Sequence, residues 1–208
     1  MFLLSTTSFG KLKEKQHKAI TVILNGITKL EVLIGDILDV YKLDIEKKLK
    51  QIDVNVEKLV NQIVTEFRPL SDEHKVEPNS DMQTSGTVKC DPQRINQVFS
   101  ALIKNSLDFI PKEGGRITIR VEEDDTERGH KVTLTVEDIG IPADKMDNLF
   151  KKFYQIDTTL TRKHGGTGLG LSICKGIIEA HNGTIWLDKG YSNGASFKFT
   201  LPRNGGTV

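Results

Sequence analysis

Apolar residues recur at Ile20, Ile23, Ile27, Leu30, Ile34, Ile37 and Tyr41, in steps of 3, 4, 3, 4, 3 and 4. That spacing returns to one face of a helix about every 3.5 residues, so the stretch from about 11 to 49 is predicted to be one long helix with an apolar seam. A seam of Ile and Leu cannot be left in water. It packs on a partner helix, from this chain or another, or it is the core-facing stripe of an ordinary amphipathic helix. The regularity of the steps favours a helical bundle.

From about residue 51 the pattern changes. "QIDVNV" reads as a short strand. Val56, Leu59, Val60, Ile63, Val64 and Phe67 then have helical spacing that Arg68-Pro69 is expected to end. "HKVEPNSD" and "TVKCD" read as short strands. Asp91-Pro92 opens a second helix, with Asp as N-cap and Pro in the first turn, running to about Ile110. Ile117, Ile119 and Val121, then Val132, Leu134 and Val136, alternate as two strands joined by the polar "DDTERGH". A third helix carries Leu169, Ile173, Ile177 and Ala180 and stops at Asn182-Gly183. "TIWLD" and "ASFKFTL" close the chain as a hairpin. The prediction is an α+β domain over 51–208: a two-layer sandwich of helices on one face of a mixed, mainly antiparallel sheet, preceded by a helical segment over 1–50.

The totals are compatible with this. The 208 residues hold one large domain or two small ones, and 37% apolar with 27% charged content suits a globular chain with a real core. A net charge of +1 leaves no electrostatic footprint for DNA or RNA. No apolar run approaches the roughly 20 residues that span a bilayer. Met1-Phe2-Leu3-Leu4 is too short for the apolar core of a signal peptide. Cys90 and Cys174 stand apart, without a CxxC or zinc spacing, and read as reduced, small apolar side chains of a cytoplasmic protein.

The chemistry gathers in a few places. Four of the six residues from Gly165 to Gly170 are glycine, directly before a helix. Glycine there costs conformational entropy, so something needs bare backbone. An anion is one answer, because a helix start presents unpaired N–H groups and partial positive charge. The lysine and hydroxyl that follow the glycines of a Walker loop are missing, so a metal ligand must come from elsewhere. On the second helix Val98, Leu102, Asn105 and Phe109 share a stripe, which puts Asn105 on the apolar side. A buried amide needs a partner: a neighbouring backbone group, or a hydrated Mg2+, which prefers oxygen donors. Asp138 ends a strand beside Ile139-Gly140-Ile141-Pro142, where its carboxylate either caps the loop or accepts from a bound polar group. Phe150 and Phe153 anchor the foot of a polar loop. Arg162, Lys163 and His164 give that loop positive charge, as a lid over phosphate oxygens needs.

Taken in this order, the motifs resemble the ATP-binding domain of sensor histidine kinases, which shares the Bergerat fold with gyrase. "RINQVFSALIKNSLDF" looks like the family's N box, "VEDIGIP" its G1 box, "FKKFYQ" its F box, "GGTGLGLSI" its G2 box and "NGASF" its last glycine motif. The resemblance covers about Ile52 to Pro202. The long helix, with "IGDILDVYKLD", is similar to the second helix of the kinase dimerisation hairpin and extends the resemblance to about Lys11. It implies ATP and Mg2+ as cofactors, with Asn105 as the metal contact, Asp138 accepting the adenine amino proton, and the amide of Gly166 or Gly168 at the triphosphate. The nucleotide-binding set it implies is Asn105, Asp108, Asp138, Gly140, Lys163, Gly166, Thr167, Gly168, Leu169 and Gly170. It also implies γ-phosphoryl transfer to a histidine in two-component signalling, a response regulator as partner, and a homodimer through the helix at 20–41.

The sequence departs from that pattern in three ways. The phosphoacceptor motif, roughly H-E-x-R-T-P, is absent around His17, His74, His130, His164 and His181, and Lys18 rather than an acid follows His17. The segment before the seam helix, about ten residues, is shorter than the roughly 20 residues that a matching first hairpin helix needs. Transfer is therefore expected in trans, to a hairpin of another chain. The G1 box, D-x-G-x-G-I-P in the family, is two residues short at Asp138 to Pro142, which predicts weakened ATP binding. Ala101 stands where a second asparagine is usual, and Asp108 where a lysine often approaches the phosphates. A carboxylate there repels a triphosphate unless it turns away. Two other readings stay open: a non-catalytic, pseudokinase-like module that dimerises through the seam, and a gyrase-type ATPase clamp, against which the lid and F box argue.

Overall fold

The computed structural model describes residues 13–45, 49–84, 86–110, 113–126, 129–138, 148–154, 167–191 and 194–202. In chain order the elements are α1 (Glu14–Ile45), β1 (Ile52–Asn55), α2 (Val56–Glu73), β2 (Val76–Met82), β3 (Thr87–Cys90), α3 (Pro92–Phe109), β4 (Gly115–Thr126), β5 (Gly129–Asp138), α4 (Gly170–Ala180), β6 (Ile185–Leu187) and β7 (Ala195–Pro202). Among the described residues, no helix is long and apolar enough to cross a membrane.

Five strands form one sheet in the order β2-β4-β5-β7-β6, and β1 pairs with β3 in a separate ribbon. β2 lies parallel to β4, and the other neighbours are antiparallel. Alternation along the strands buries Ile117, Ile119 and Val121 of β4 and Ile185 and Leu187 of β6. β7 adds Phe197, Phe199 and Leu201. This apolar face shares one core with α2, α3 and α4, giving the expected two layers. On α3, Ile95, Val98, Phe99 and Leu102 are fully buried. Phe99 meets Phe199 edge-on, with ring centroids 5.3 Å apart, the geometry that aromatic quadrupoles favour.

Helix ends follow local chemistry. Asp91 caps α3 by accepting from the N–H groups of Gln93 (3.1 Å) and Arg94 (3.3 Å), and Pro92 opens its first turn. α4 ends with Asn182 at φ 59°, and Gly183 N–H donates back to Ile178 O at 2.9 Å, a left-handed cap of the kind asparagine and glycine permit.

Two expectations need correction. α2 does not stop at Arg68-Pro69; it runs through Pro69 to Glu73. Proline forfeits one backbone bond, but the turn beyond it buries Ser71 and packs Leu70 on the core, and that packing outweighs the loss. The β4–β5 connection is also tighter than the polar run suggests. The ladder continues to Thr126 opposite Gly129, and its register sets Asp124 against Lys131, so most of "DDTERGH" is strand.

α1 has 32 residues and is about 48 Å long. It does not use its seam against the rest of this chain. Ile23, Ile27, Leu30, Ile34, Ile37 and Tyr41 are each 48–62% exposed. The helix leans on the domain through another face, where Leu33 packs on the core and Asp36 and Asp39 make polar contacts. Among the described residues, the seam is therefore not the core-facing stripe of this domain.

Candidate functional site

Asn105 lies where its stripe predicts. Val98 and Leu102 before it are fully buried, and Asn105 itself is half-buried on α3. Its Nδ2 is buried and has no hydrogen-bond partner among the described residues. Among the described residues, no neighbouring backbone group accepts from this Nδ2. An orphaned buried amide is costly. Turned over, the same amide presents an oxygen, the donor type that Mg2+ takes. Asp108, one turn further on, is exposed. Among the described residues there is no group of three or more His, Cys, Asp or Glu side chains that could hold a metal. The fit to Mg2+ therefore rests on Asn105 and the phosphates it would share.

The start of α4 is built against the turn at 148–154. Leu149 is buried, and Phe150 meets Phe197 edge-on at 6.4 Å. Phe150 is the core anchor expected at the foot of the loop; Phe153 is not. It is 66% exposed and holds φ 63°, a conformation that bulky residues avoid. Its N–H donates to Gly168 O at 2.9 Å. Gly168 has φ 71°, and a Cβ there would stand 2.9 Å from Phe153 C. Bare backbone at Gly168 is therefore required by the chain's own aromatic turn. At Gly170 a Cβ would meet nothing within 4 Å, so its absence leaves open space at the helix start. Ile173 N–H to Leu169 O closes the first turn at 2.9 Å. The N–H groups of Gly170, Leu171 and Ser172 precede that bond and have no intrahelical acceptor.

α4 packs on both α3 and α1. On α3, the Cys174 thiol lies 3.9 Å from Val98 O. On α1, Thr167 donates its hydroxyl proton to Asp36 Oδ2 at 2.6 Å, and the same hydroxyl accepts from Leu169 N–H at 3.3 Å. Asp36 is absent from the sequence-based site. The available signal was its spacing: Asp36 and Asp39 interrupt the apolar run at i and i+3, beside the seam rather than opposite it. Asp138 ends β5 opposite Ala195 of β7, so the register brings the carboxylate-bearing strand end to the start of "ASF". Its side chain is outside what the structure describes, as are Gly140, Lys163 and Gly166 and the whole shortened loop and lid. The structure thus brings Thr167, Gly168, Leu169 and Gly170 to one helix start, on a helix packed beside the one that carries Asn105.

Behind the site, polar contacts fix α3 to α4. Asp91 N–H donates to His181 Nε2 at 2.9 Å, and the His181 Nδ1 side donates to Ile177 O at 2.8 Å. Burial holds the imidazole below its ordinary pKa, which keeps it neutral in the tautomer those two bonds need. Cys90 and Cys174 are free and buried, and burial pushes both thiols up to about 12. They stay protonated and serve as packing.

The sequence profile of the family described as "Histidine kinase-, DNA gyrase B-, and HSP90-like ATPase" matches residues 90–205. The chain belongs to this family. The sensor histidine kinase WalK of Bacillus subtilis is 31% identical over 196 residues, which is 91% of this chain and 31% of that protein. Among solved structures, histidine kinase AdeS of Acinetobacter baumannii superposes with TM-score 0.68 at 26% identity, covering 95% of this chain and 89% of that one. Histidine kinase ThkA, solved with the response regulator TrrA, gives TM-score 0.68 at 25% identity over 98% of this chain and 56% of that one. The chain spans about a third of the length of the curated relatives it matches. The shared part is the ATPase domain of sensor histidine kinases, with a long helix before it.

Proposed function

We propose that this chain is the ATP-binding catalytic core of a protein histidine kinase. It takes the γ-phosphoryl group of Mg-ATP to a histidine on another chain, within a cytoplasmic two-component pathway that ends on a response regulator. The observation that carries the reading is the Asn105 Nδ2 on α3, buried without a partner among the described residues, beside a glycine-entered helix start whose first N–H groups have no intrahelical acceptor. Family membership, the WalK relative and the ThkA–TrrA complex support it from outside.

Each part then has a role. The first-turn amides of α4, with Gly168 and Thr167, meet triphosphate oxygens, which a helix N-terminus favours. Lys163 and Gly166 add to that contact. Asp138 accepts the adenine amino proton, next to Gly140. Asn105 offers its amide oxygen to the metal; bound Mg2+ supplies neutralisation of phosphate charge during transfer. Asp108, one turn beyond Asn105, is exposed and stands at the edge of the nucleotide contact. The domain boundary falls near residue 50, and the exposed seam of α1 is the contact of a homodimer. A non-catalytic, pseudokinase-like dimerising module with weakened ATP binding is the second reading, favoured by the shortened G1 box at Asp138 to Pro142 and by the missing phosphoacceptor motif.

Calorimetry tests the site directly. The wild-type chain should bind ATP more tightly with Mg2+ than without it. Asn105→Ala should lose that metal dependence and about tenfold in affinity, or roughly 1.4 kcal/mol, with its far-UV spectrum unchanged. Equal affinity of the two proteins in Mg2+ would remove Asn105 from the site.

A further inference from the structure

α1 touches the catalytic domain with two carboxylates. Asp39 accepts from Arg94 Nη1 at 3.0 Å and from Gln97 Nε2 at 2.7 Å, both on α3. Asp36, nearly one turn earlier, accepts the Thr167 hydroxyl proton at 2.6 Å. Thr167 immediately precedes Gly168 and bonds through its hydroxyl to Leu169 N–H, so Asp36 is one hydrogen bond from the backbone that enters α4. Asp36 is half-buried, and Leu33 already packs α1 on the core.

We infer that Asp36 is a built-in competitor for the triphosphate: it holds α1 on the glycine loop when no nucleotide is bound and lets go when nucleotide binds. The inference rests on the nucleotide reading of this helix start. A hydroxyl has one proton to donate, so Thr167 cannot serve the Asp36 carboxylate and a phosphate oxygen together. Two anions drawn to the same few N–H and O–H groups also repel each other, most strongly where water is partly excluded. Asp39, held by two donors on α3, is the pivot that stays. Linkage makes the effect reciprocal: if nucleotide weakens the α1 contact, the contact weakens nucleotide binding by the same factor. Because the exposed seam lies on the same helix, nucleotide occupancy is passed to the orientation of that seam.

The test uses the whole chain as wild type, Asp36→Asn and Asp36→Ala. Asparagine keeps an oxygen acceptor for Thr167 without the charge; alanine removes both. Titration with a non-hydrolysable ATP analogue and Mg2+ should give a lower Kd for both variants, by about fivefold or more for alanine, within the usual range of coupling between sites. In parallel, spin labels on Lys29→Cys of α1 and Lys175→Cys of α4 report the contact. Both lysines are exposed, and the native cysteines, buried with thiols at about 12, stay unlabelled. Nucleotide should shift the label distance in wild type, and Asp36→Ala should show the shifted distance before nucleotide is added. Equal affinity in all three chains, with a label distance that nucleotide leaves unchanged, overturns the latch and leaves the nucleotide reading standing. No binding by any of the three overturns both.

Discussion

Gly168 shows how one residue can answer two demands. The glycine run suggests an anion cradle, and the N–H groups without an intrahelical acceptor at the start of α4 suit one. Yet at Gly168 itself the missing side chain makes room for Phe153, whose backbone a Cβ would strike at 2.9 Å. Gly168→Ala should therefore cost stability before it costs binding, by about 1–3 kcal/mol, the usual scale of local backbone strain. Chemical denaturation would measure this, and a stability equal to wild type would show that the Phe153 turn yields freely. Asn105 was legible from its stripe because helical spacing fixes which side a residue faces. Phe153 was not. Its i, i+3 spacing from Phe150 suggests shared burial, and only the backbone bond to Gly168 O turns it outward into a left-handed conformation. Asp36 was equally hidden, because its partner Thr167 lies 131 residues away, and no local pattern encodes so distant a pairing.

Among the elements, α1 is the most readable and the most consequential. The 3-4 steps foretold both its length and the face that needs a partner. Its seam residues remain about half exposed, and each half-exposed Ile or Leu forgoes on the order of 1 kcal/mol of burial. The chain should therefore be a dimer by light scattering at roughly tens of micromolar, where a weak homodimer is already favoured by concentration. The double variant Ile27→Asp with Ile34→Asp should be monomeric with the domain still folded. A wild-type monomer at that concentration would leave the seam to some other partner. α2 shows the opposite limit. Proline at position 69 is a strong local stop signal, but the burial of Ser71 and the packing of Leu70 against the core beyond it decide the outcome, and such tertiary packing is not written in local propensity. The β4–β5 hairpin is where the spacing puts it, but its ladder runs further: polar residues in a two-sided ladder read as loop until their partners across the strand are known.

At the scale of the whole molecule, three layers of contact meet at one place. The sheet's apolar face sets α3 and α4 side by side, the aromatic turn at 148–154 locks the entry of α4, and α1 reaches across to the same entry through Asp36. This is an ATPase-family domain with a seam-bearing helix poised on its candidate phosphate site, and the proposed reaction is phosphoryl transfer to a histidine elsewhere. The most direct measurement supplies γ-labelled ATP, Mg2+ and a separately purified histidine-kinase dimerisation hairpin that carries its own acceptor histidine. Acid-labile, base-stable label should appear on the hairpin with the wild-type chain and fall to background with Asn105→Ala. An unlabelled hairpin in the presence of a chain that demonstrably binds ATP would contradict the kinase reading and leave a nucleotide-responsive dimerisation module.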